Sequence, residues 1–307
     1  MMEKFREFSY CQKTNLLEAK KFKQGALLGL WERYKIADQL FTIRKQNLIS
    51  GTPNDIKLNI GDKRYIRYED TNRGDFGMNL ENNVLYQTDR QNFFIFDSDH
   101  FNYPYLVYAV KENFISPPFR FIHIDAHIDV KRIFAEPPQF NLGFDDLTEK
   151  ASVFFLEHLN ESNFVTAIVA SKLANKIDYI TYQNGSFNSN FMFDEMGAGS
   201  IINHFDGDIN FYSAQKLRLP RRFFNSIQPV VLAIDIDFFG ISTKFGRSRN
   251  IFKNVTFFTS ILKRIGGYSP EKIPVITIAT SPGHNDGYKN GEEKIEVAKL
   301  LVKELVG

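Results

Sequence analysis

The chain has 307 residues, of which 43% are hydrophobic and 24% charged, with a formal net charge of +2. That length is ample for the core of a single α/β domain, and so small a net charge gives no global pull toward nucleic acid or a membrane surface. Cys11 is the sole cysteine, which excludes an internal disulfide; with no apolar leader after Met1 and no apolar run able to span a bilayer, the expectation is a cytoplasmic protein.

Residues 1–90 are read as an N-terminal extension packed on a main domain of residues 91–307. Within the extension, Ala26 to Leu48 predicts an amphipathic helix, because Leu27, Leu30, Trp31, Tyr34 and Phe41 recur at helical spacing. Lys20, Lys21 and Lys23 read as a solvated face. Ile49 to Gly77 is rich in Gly, Asn and Asp and predicts loops, with a hairpin around the alternating piece Arg64 to Tyr68. From Asn92 an α/β rhythm begins. Strands are predicted at Phe93–Phe96, Phe119–Asp125, Phe164–Ala170, Ile177–Tyr182, Val230–Ile236 and Pro274–Ala279. Helices are predicted at Tyr105–Asn113, Asp145–Leu159 and Glu292–Leu305. Asn184 to Asp208 reads as a long loop, a kind of segment that in compact domains is often functional. Alternation of strands and helices predicts a mostly parallel, doubly wound sheet.

Three apolar runs end in acids and histidines: Phe93 to Phe96 before Asp97-Ser98-Asp99-His100, Phe121 to Ile124 before Asp125-Ala126-His127-Ile128-Asp129, and Val230 to Ile234 before Asp235-Ile236-Asp237. Ligands of open α/β sheets bind at the carboxyl ends of the strands. In an extended segment Asp125, His127 and Asp129 would share one side. Carboxylates and imidazoles together are ligands for a divalent metal, and burying so many carboxylates without a cation would be very costly. The competing reading is a strand-end cluster of salt bridges.

The order Asp-His, then Asp-x-His-x-Asp, then Asp-x-Asp resembles the arginase and ureohydrolase superfamily, which also holds the histone-deacetylase-like zinc enzymes. The resemblance runs from about Phe93 to Tyr288 and is specific at six positions. It is nearest to the branch of peptide arginases, which convert arginine to ornithine within ribosomally made peptides. It implies a three-layer arginase/deacetylase-like fold and two divalent ions, for which Mn²⁺ is the best-suited choice and zinc and iron stay open. One ion would take His100, Asp125, Asp129 and Asp235, and the other His127, Asp125, Asp235 and Asp237. The implied partner is an arginine-containing peptide, with no nucleic acid and no membrane, and an oligomer stays open.

The chain departs from ordinary arginases at two places. Phe140-Asn141-Leu142-Gly143-Phe144 lacks the histidine found there, and Thr280-Ser281-Pro282-Gly283-His284 replaces a segment that carries a guanidinium-binding glutamate. His284 is therefore the candidate proton shuttle, grouped with Asp129 as catalytic; Glu195 and Tyr288 are candidates for binding substrate. His123 is either a support for the ligands or a core histidine, Asp99 a support for His100, and Asp97 structural. Two rival functions follow: a deacetylase-type amide hydrolase, and a non-catalytic metal-binding protein.

Overall fold

The computed structural model describes residues 48–60, 82–127, 129, 133, 137, 154, 159, 163–182, 208–214, 219–242, 249–281 and 287–306. Its strands are β1 (Leu48–Ser50), β2 (Asn83–Gln87), β3 (Asn92–Phe96), β4 (Phe119–Ile124), β5 (Ala174–Thr181), β6 (Asp208–Ser213), β7 (Val230–Asp235) and β8 (Val275–Ala279). The described helices are α1 (Asn102–Lys111), α2 (Phe164–Ala170), α3 (Asp237–Ser242), α4 (Ile251–Arg264) and α5 (Gly291–Val306). The strands form one eight-stranded sheet in the order β1-β2-β3-β8-β7-β4-β5-β6. Every neighbouring pair is parallel except β2 with β3. The protein is thus an α/β protein with a mostly parallel sheet. No helix among the described residues is long and apolar enough to cross a membrane.

The central strands are apolar almost throughout because both faces of the sheet are covered. Successive side chains alternate between two apolar clusters. Phe94, Phe96, Phe121, Val231 and Ala233 join one cluster, with Tyr105 and Leu106 of α1 and Phe164 and Ile168 of α2. Phe93, Ile95, Ile122, Leu232 and Ile278 join the other, with Val255 and Leu262 of α4 and Leu301 and Leu305 of α5. The abundant phenylalanine fills these cores: the Phe96 and Tyr105 rings stack at 5.0 Å, and Phe94 lies 5.1 Å from Tyr105. Each such buried side chain contributes about 1.5–3 kcal/mol.

The helix ends follow local rules. Asn250 caps α4 by accepting a hydrogen bond from Lys253 N at 3.2 Å, and Lys263 and Arg264 occupy its last turn, where the helix dipole favours cations. At the start of α5, Asn290 Oδ1 accepts Glu293 N, a side-chain cap, and the Glu293 carboxylate accepts Lys289 N just before it.

One predicted element is of the wrong type. Phe164–Ala170, expected as a strand, is the helix α2. A short apolar run cannot be assigned by periodicity alone. Here Phe164 to Val169 are all buried, so no polar stripe marks the helical period. The extension also does more than pack on the main domain's surface: β1 and β2 belong to the sheet itself. The predicted helices at Ala26–Leu48 and Asp145–Leu159, the hairpin at Arg64–Tyr68 and most of the Asn184–Asp208 loop lie outside the described residues, apart from Leu48, Phe154, Leu159 and Asp208.

Candidate metal centre

The chain turns back on itself across the middle of the sheet. After β4 it builds outward through β5 and β6, then returns to β7 beside β4 and continues to β8 on the other side. The crevice at the carboxyl ends of β4 and β7 is therefore a topological switch point, the place where open α/β sheets bind ligands. Asp125 follows β4 directly, and Asp235 ends β7 with Asp237 opening α3.

The Asp-x-His and Asp-x-Asp segments share one local geometry. Asp125 Oδ1 accepts a hydrogen bond from His127 N at 2.8 Å, and Asp235 Oδ1 accepts one from Asp237 N at 2.9 Å. These are Asx turns, in which an aspartate binds the backbone two residues on. The strand alternation expected for Asp125, His127 and Asp129 does not hold, because β4 stops at Ile124 and Asp129 lies at φ 44°. The turn, not the pleat, brings them together. The two segments are also tied to each other: Asp237 Oδ1 accepts Ala126 N at 3.4 Å, and Asp237 Oδ2 lies 3.0 Å from His127 Nδ1.

Around these turns, three sets of side chains offer ligand atoms within 4.8 Å of one another: His123, Asp125 and Asp129; Asp125, His127 and Asp237; and Asp99, Asp125 and Asp235. Asp125 is common to all three. Of the six predicted ligands, the sets thus gather Asp125, His127, Asp129, Asp235 and Asp237. His100 is buried in the turn just before α1 but belongs to none of the sets, and its Nδ1 lies 2.8 Å from Ser98 Oγ. Asp99, expected to support His100, offers a ligand atom beside Asp125 and Asp235. His123 faces the acids: its Nε2 is 3.0 Å from Asp125 Oδ2 and 3.4 Å from Asp129 Oδ2. Its ring packs among Phe121, Phe164 and Tyr179.

Asp97 differs from its neighbours. Its carboxylate accepts Asn82 N at 2.9 Å, Asn82 Nδ2 at 2.6 Å and Thr280 Oγ1 at 3.2 Å. This acid is satisfied by the protein and holds β2 and the segment after β8 to the end of β3.

The electrostatics of the cluster are strained. Burial, then the charge of Asp125, pushes the Asp129 carboxyl well above the usual range. Burial, then Asp237 and Asp125, does the same to Asp235. For Asp125 burial also pushes upward, but the imidazoles of His123 and His127 outweigh it and hold the carboxyl well below the usual range. Hydrogen bonding to Asp125 and Asp237 pushes His127 up to about 12. Like charges crowded in a buried site disfavour ionisation, and a cation among them removes that cost. Asp125 Oδ2 is buried, with His123 Nε2 3.0 Å away in a geometry short of a well-formed hydrogen bond. A buried oxygen with spare lone pairs, surrounded by further carboxylates and an imidazole, fits a divalent cation that takes oxygen and nitrogen ligands.

Tyr288 is buried, and its hydroxyl donates to Ile236 O, the peptide between Asp235 and Asp237. His284 and Glu195 lie outside the described residues. Sequence reasoning missed Ser281 and Lys294. Ser281 Oγ donates to Asp235 Oδ2 at 2.5 Å, and Lys294 Nζ donates to Ser281 O. The one available signal was the position of Ser281, two residues past the end of a core strand. No protein-family model and no curated protein sequence matches the chain.

Proposed function

We propose that the chain is a two-metal hydrolase of carbon–nitrogen bonds that converts arginine within a peptide to ornithine and releases urea. The observation that carries this reading is the buried cluster at the β4–β7 switch point, with Asp125 shared by three sets of ligand atoms. Two divalent ions, Mn²⁺ by preference, would supply a nucleophile at neutral pH by lowering the pKa of a shared water. Asp125 and Asp235 would hold both ions, His127 and Asp237 one of them, and Asp129 the other. His100 completes that second set in the resemblance to ureohydrolases. The same reading takes the sheet and its two apolar clusters as the three-layer, doubly wound arrangement of that superfamily.

The reaction balances simply. A water oxygen bonds to the guanidinium carbon, the bond from that carbon to the side-chain nitrogen breaks, and this nitrogen leaves with a proton as the ornithine amine. The carbon departs with two nitrogens and the oxygen as urea. Acids of the Asn184–Asp208 segment would attract a cationic side chain, and His284 and Glu195 remain the candidates for moving the proton and holding the guanidinium. The peptide preference rests on the likeness to one branch of the superfamily, together with the absence of recognisable segments that would bind the charged α-amino and α-carboxylate groups of free arginine.

The rival reading is the deacetylase-type amide hydrolase, and the Tyr288 hydroxyl, given to Ile236 O, lends it no support. The test combines metal analysis with incubation on capped peptides containing an internal arginine and on free arginine. Two Mn²⁺ per chain, and conversion of the peptide with higher kcat/KM than free arginine, are expected. A single zinc with release of an acyl group would favour the deacetylase, and no turnover of any arginine substrate by metal-loaded protein would end the ureohydrolase reading.

A further inference from the structure

Asp125 and Asp235 are the two carboxylates that would hold both ions, and they are oriented by different devices. Each gives Oδ1 to an Asx turn. On the second oxygen they diverge: Asp125 Oδ2 faces His123, while Asp235 Oδ2 accepts the Ser281 hydroxyl at 2.5 Å. Ser281 sits at φ 41°, a left-handed conformation that a serine seldom adopts. Such backbone persists only where the surroundings over-determine it. Here Ser281 N donates to Asp97 O at 2.6 Å, and Ser281 O accepts the ammonium of Lys294. Lys294 is itself buried at the start of α5, with its Nζ 5.3 Å from the centre of the Tyr288 ring.

We infer that Ser281, locked from behind by Lys294, is a positioning residue that fixes the second oxygen of Asp235 for metal binding. This rests on the two-metal reading. With one donor on each oxygen, the rotation of the Asp235 carboxylate is set, and its remaining lone pairs are left for the ions. Groups that orient metal ligands in this way typically carry 10–100-fold of metal affinity or activity.

The experiment measures Mn²⁺ affinity by calorimetry, with the melting temperature of the metal-free protein alongside, for wild type, Ser281→Gly and Lys294→Met. Glycine accepts the left-handed backbone, so Ser281→Gly removes the hydroxyl without straining the chain. The expected result is Mn²⁺ binding weakened about 10–100-fold at an unchanged metal-free melting temperature, with activity recovered at higher Mn²⁺, and a smaller weakening in Lys294→Met, which keeps the side-chain stem. Wild-type Mn²⁺ affinity in Ser281→Gly overturns the proposal. So does a loss of affinity matched by a fall in the metal-free melting temperature of both variants, which would make the contact merely structural. If wild-type protein itself binds no divalent ion, the two-metal reading fails; if wild type binds and Ser281→Gly binds equally well, only the positioning role fails.

Discussion

Two groups of buried charge share strands β4 and β5 and the loops around them. Near the start of β4, Arg120 pairs with Asp178 of β5, donates also to Phe223 O, and lies over the Phe223 ring at 4.5 Å. Asn210 donates to the other oxygen of Asp178 at 3.0 Å. Just past the end of β4, Asp125 and Asp129 meet Asp99, Asp235 and Asp237, with the imidazoles of His123 and His127 in the same sets among the described residues. The first group arrives with its counter-charge and its hydrogen bonds, as buried charges in a stable core must. Among the described residues the second gathers more carboxyls than cationic partners, and two of those carboxyls are pushed upward by burial and by their acidic neighbours. Buried charge is thus paired at one end of the strand and, among the described residues, crowded with like charge at the other, an arrangement that could hold cations there.

The comparison predicts opposite consequences of mutation in the two regions. The largest effect is expected in the crevice: Asp125→Ala or Asp235→Ala abolishes turnover and lowers bound metal, because in the two-metal reading each carboxylate would hold both ions. Metal content per chain and turnover measured on the same preparation check this, and a variant with wild-type values of both would remove the two-metal reading. The next largest is a loss of stability. Arg120→Ala strands Asp178 without its partner in the core, which typically costs about 3–5 kcal/mol, so the denaturant midpoint falls while metal per chain stays at the wild-type value. Equal sensitivity of metal content to Arg120→Ala would mean that the two regions are not independent.

The parts of this arrangement were unequally legible in the sequence. Strands β3, β4, β7 and β8 stood out because a strand covered on both faces must be apolar at every position. The ligand spacing of Asp125, His127, Asp235 and Asp237 was also visible, though for the wrong reason: the period of two comes from Asx turns beyond the strand ends. The segment Phe164–Ala170 was misread because complete burial erases the period that separates helix from strand. Strands β2 and β6 were missed because Asn-Val-Leu-Tyr-Gln and Asp-Ile-Asn-Phe-Tyr-Ser are short and mixed in polarity, and their place in the sheet is settled by partners distant in sequence. Ser281 and Lys294 were invisible for the same reason. A serine at positive φ and a lysine turned inward on an otherwise amphipathic α5 leave no local mark, and their roles depend on Asp235 lying 46 residues before Ser281.

A third and smaller effect sharpens the contrast. In metal-free protein, Asp235→Asn removes a carboxyl whose ionisation burial and its acidic neighbours disfavour, while Ser281 can turn its hydroxyl to accept from the new amide. Replacements that relieve strain at a functional site commonly stabilise by about 0.5–2 kcal/mol. The metal-free melting temperature of Asp235→Asn should therefore exceed that of wild type, and adding Mn²⁺ should reverse the order. The conservative change Asp178→Asn should do the opposite, since it weakens the pairing with Arg120 whether or not metal is present. A lower metal-free melting temperature for Asp235→Asn would show that its carboxylate is needed by the fold and not only by the ions.

The smallest expected effect is a slope with pH. Asp129 and Asp235 have raised pKa values in the folded, metal-free protein. Folding therefore retains their protons, and the stability they contribute is present below the unfolded value of about 3.9 and is lost as pH rises through the folded values. His127, pushed up to about 12, contributes stability that is present below its unfolded value of about 6.5 and is lost as pH climbs toward the folded value. Its side chain is 43% exposed, so solvent reduces that contribution. Asp125 runs the other way: its depressed pKa contributes stability above about 3.9 that is lost only as pH falls through the folded value. From about pH 6.5 upward the Asp125 contribution is constant, and the other groups make the metal-free protein steadily less stable. Metal binding has the reverse dependence, because ligands must shed protons to bind. The melting temperature of the chelated protein should thus fall between pH 6.5 and 9, while the increase produced by Mn²⁺ grows over the same interval. Measured in matched buffers at constant ionic strength, a chelated melting temperature that rises with pH would mean that the cluster is neutralised from within the protein, as Asp178 is by Arg120, and the difference between the two regions would disappear.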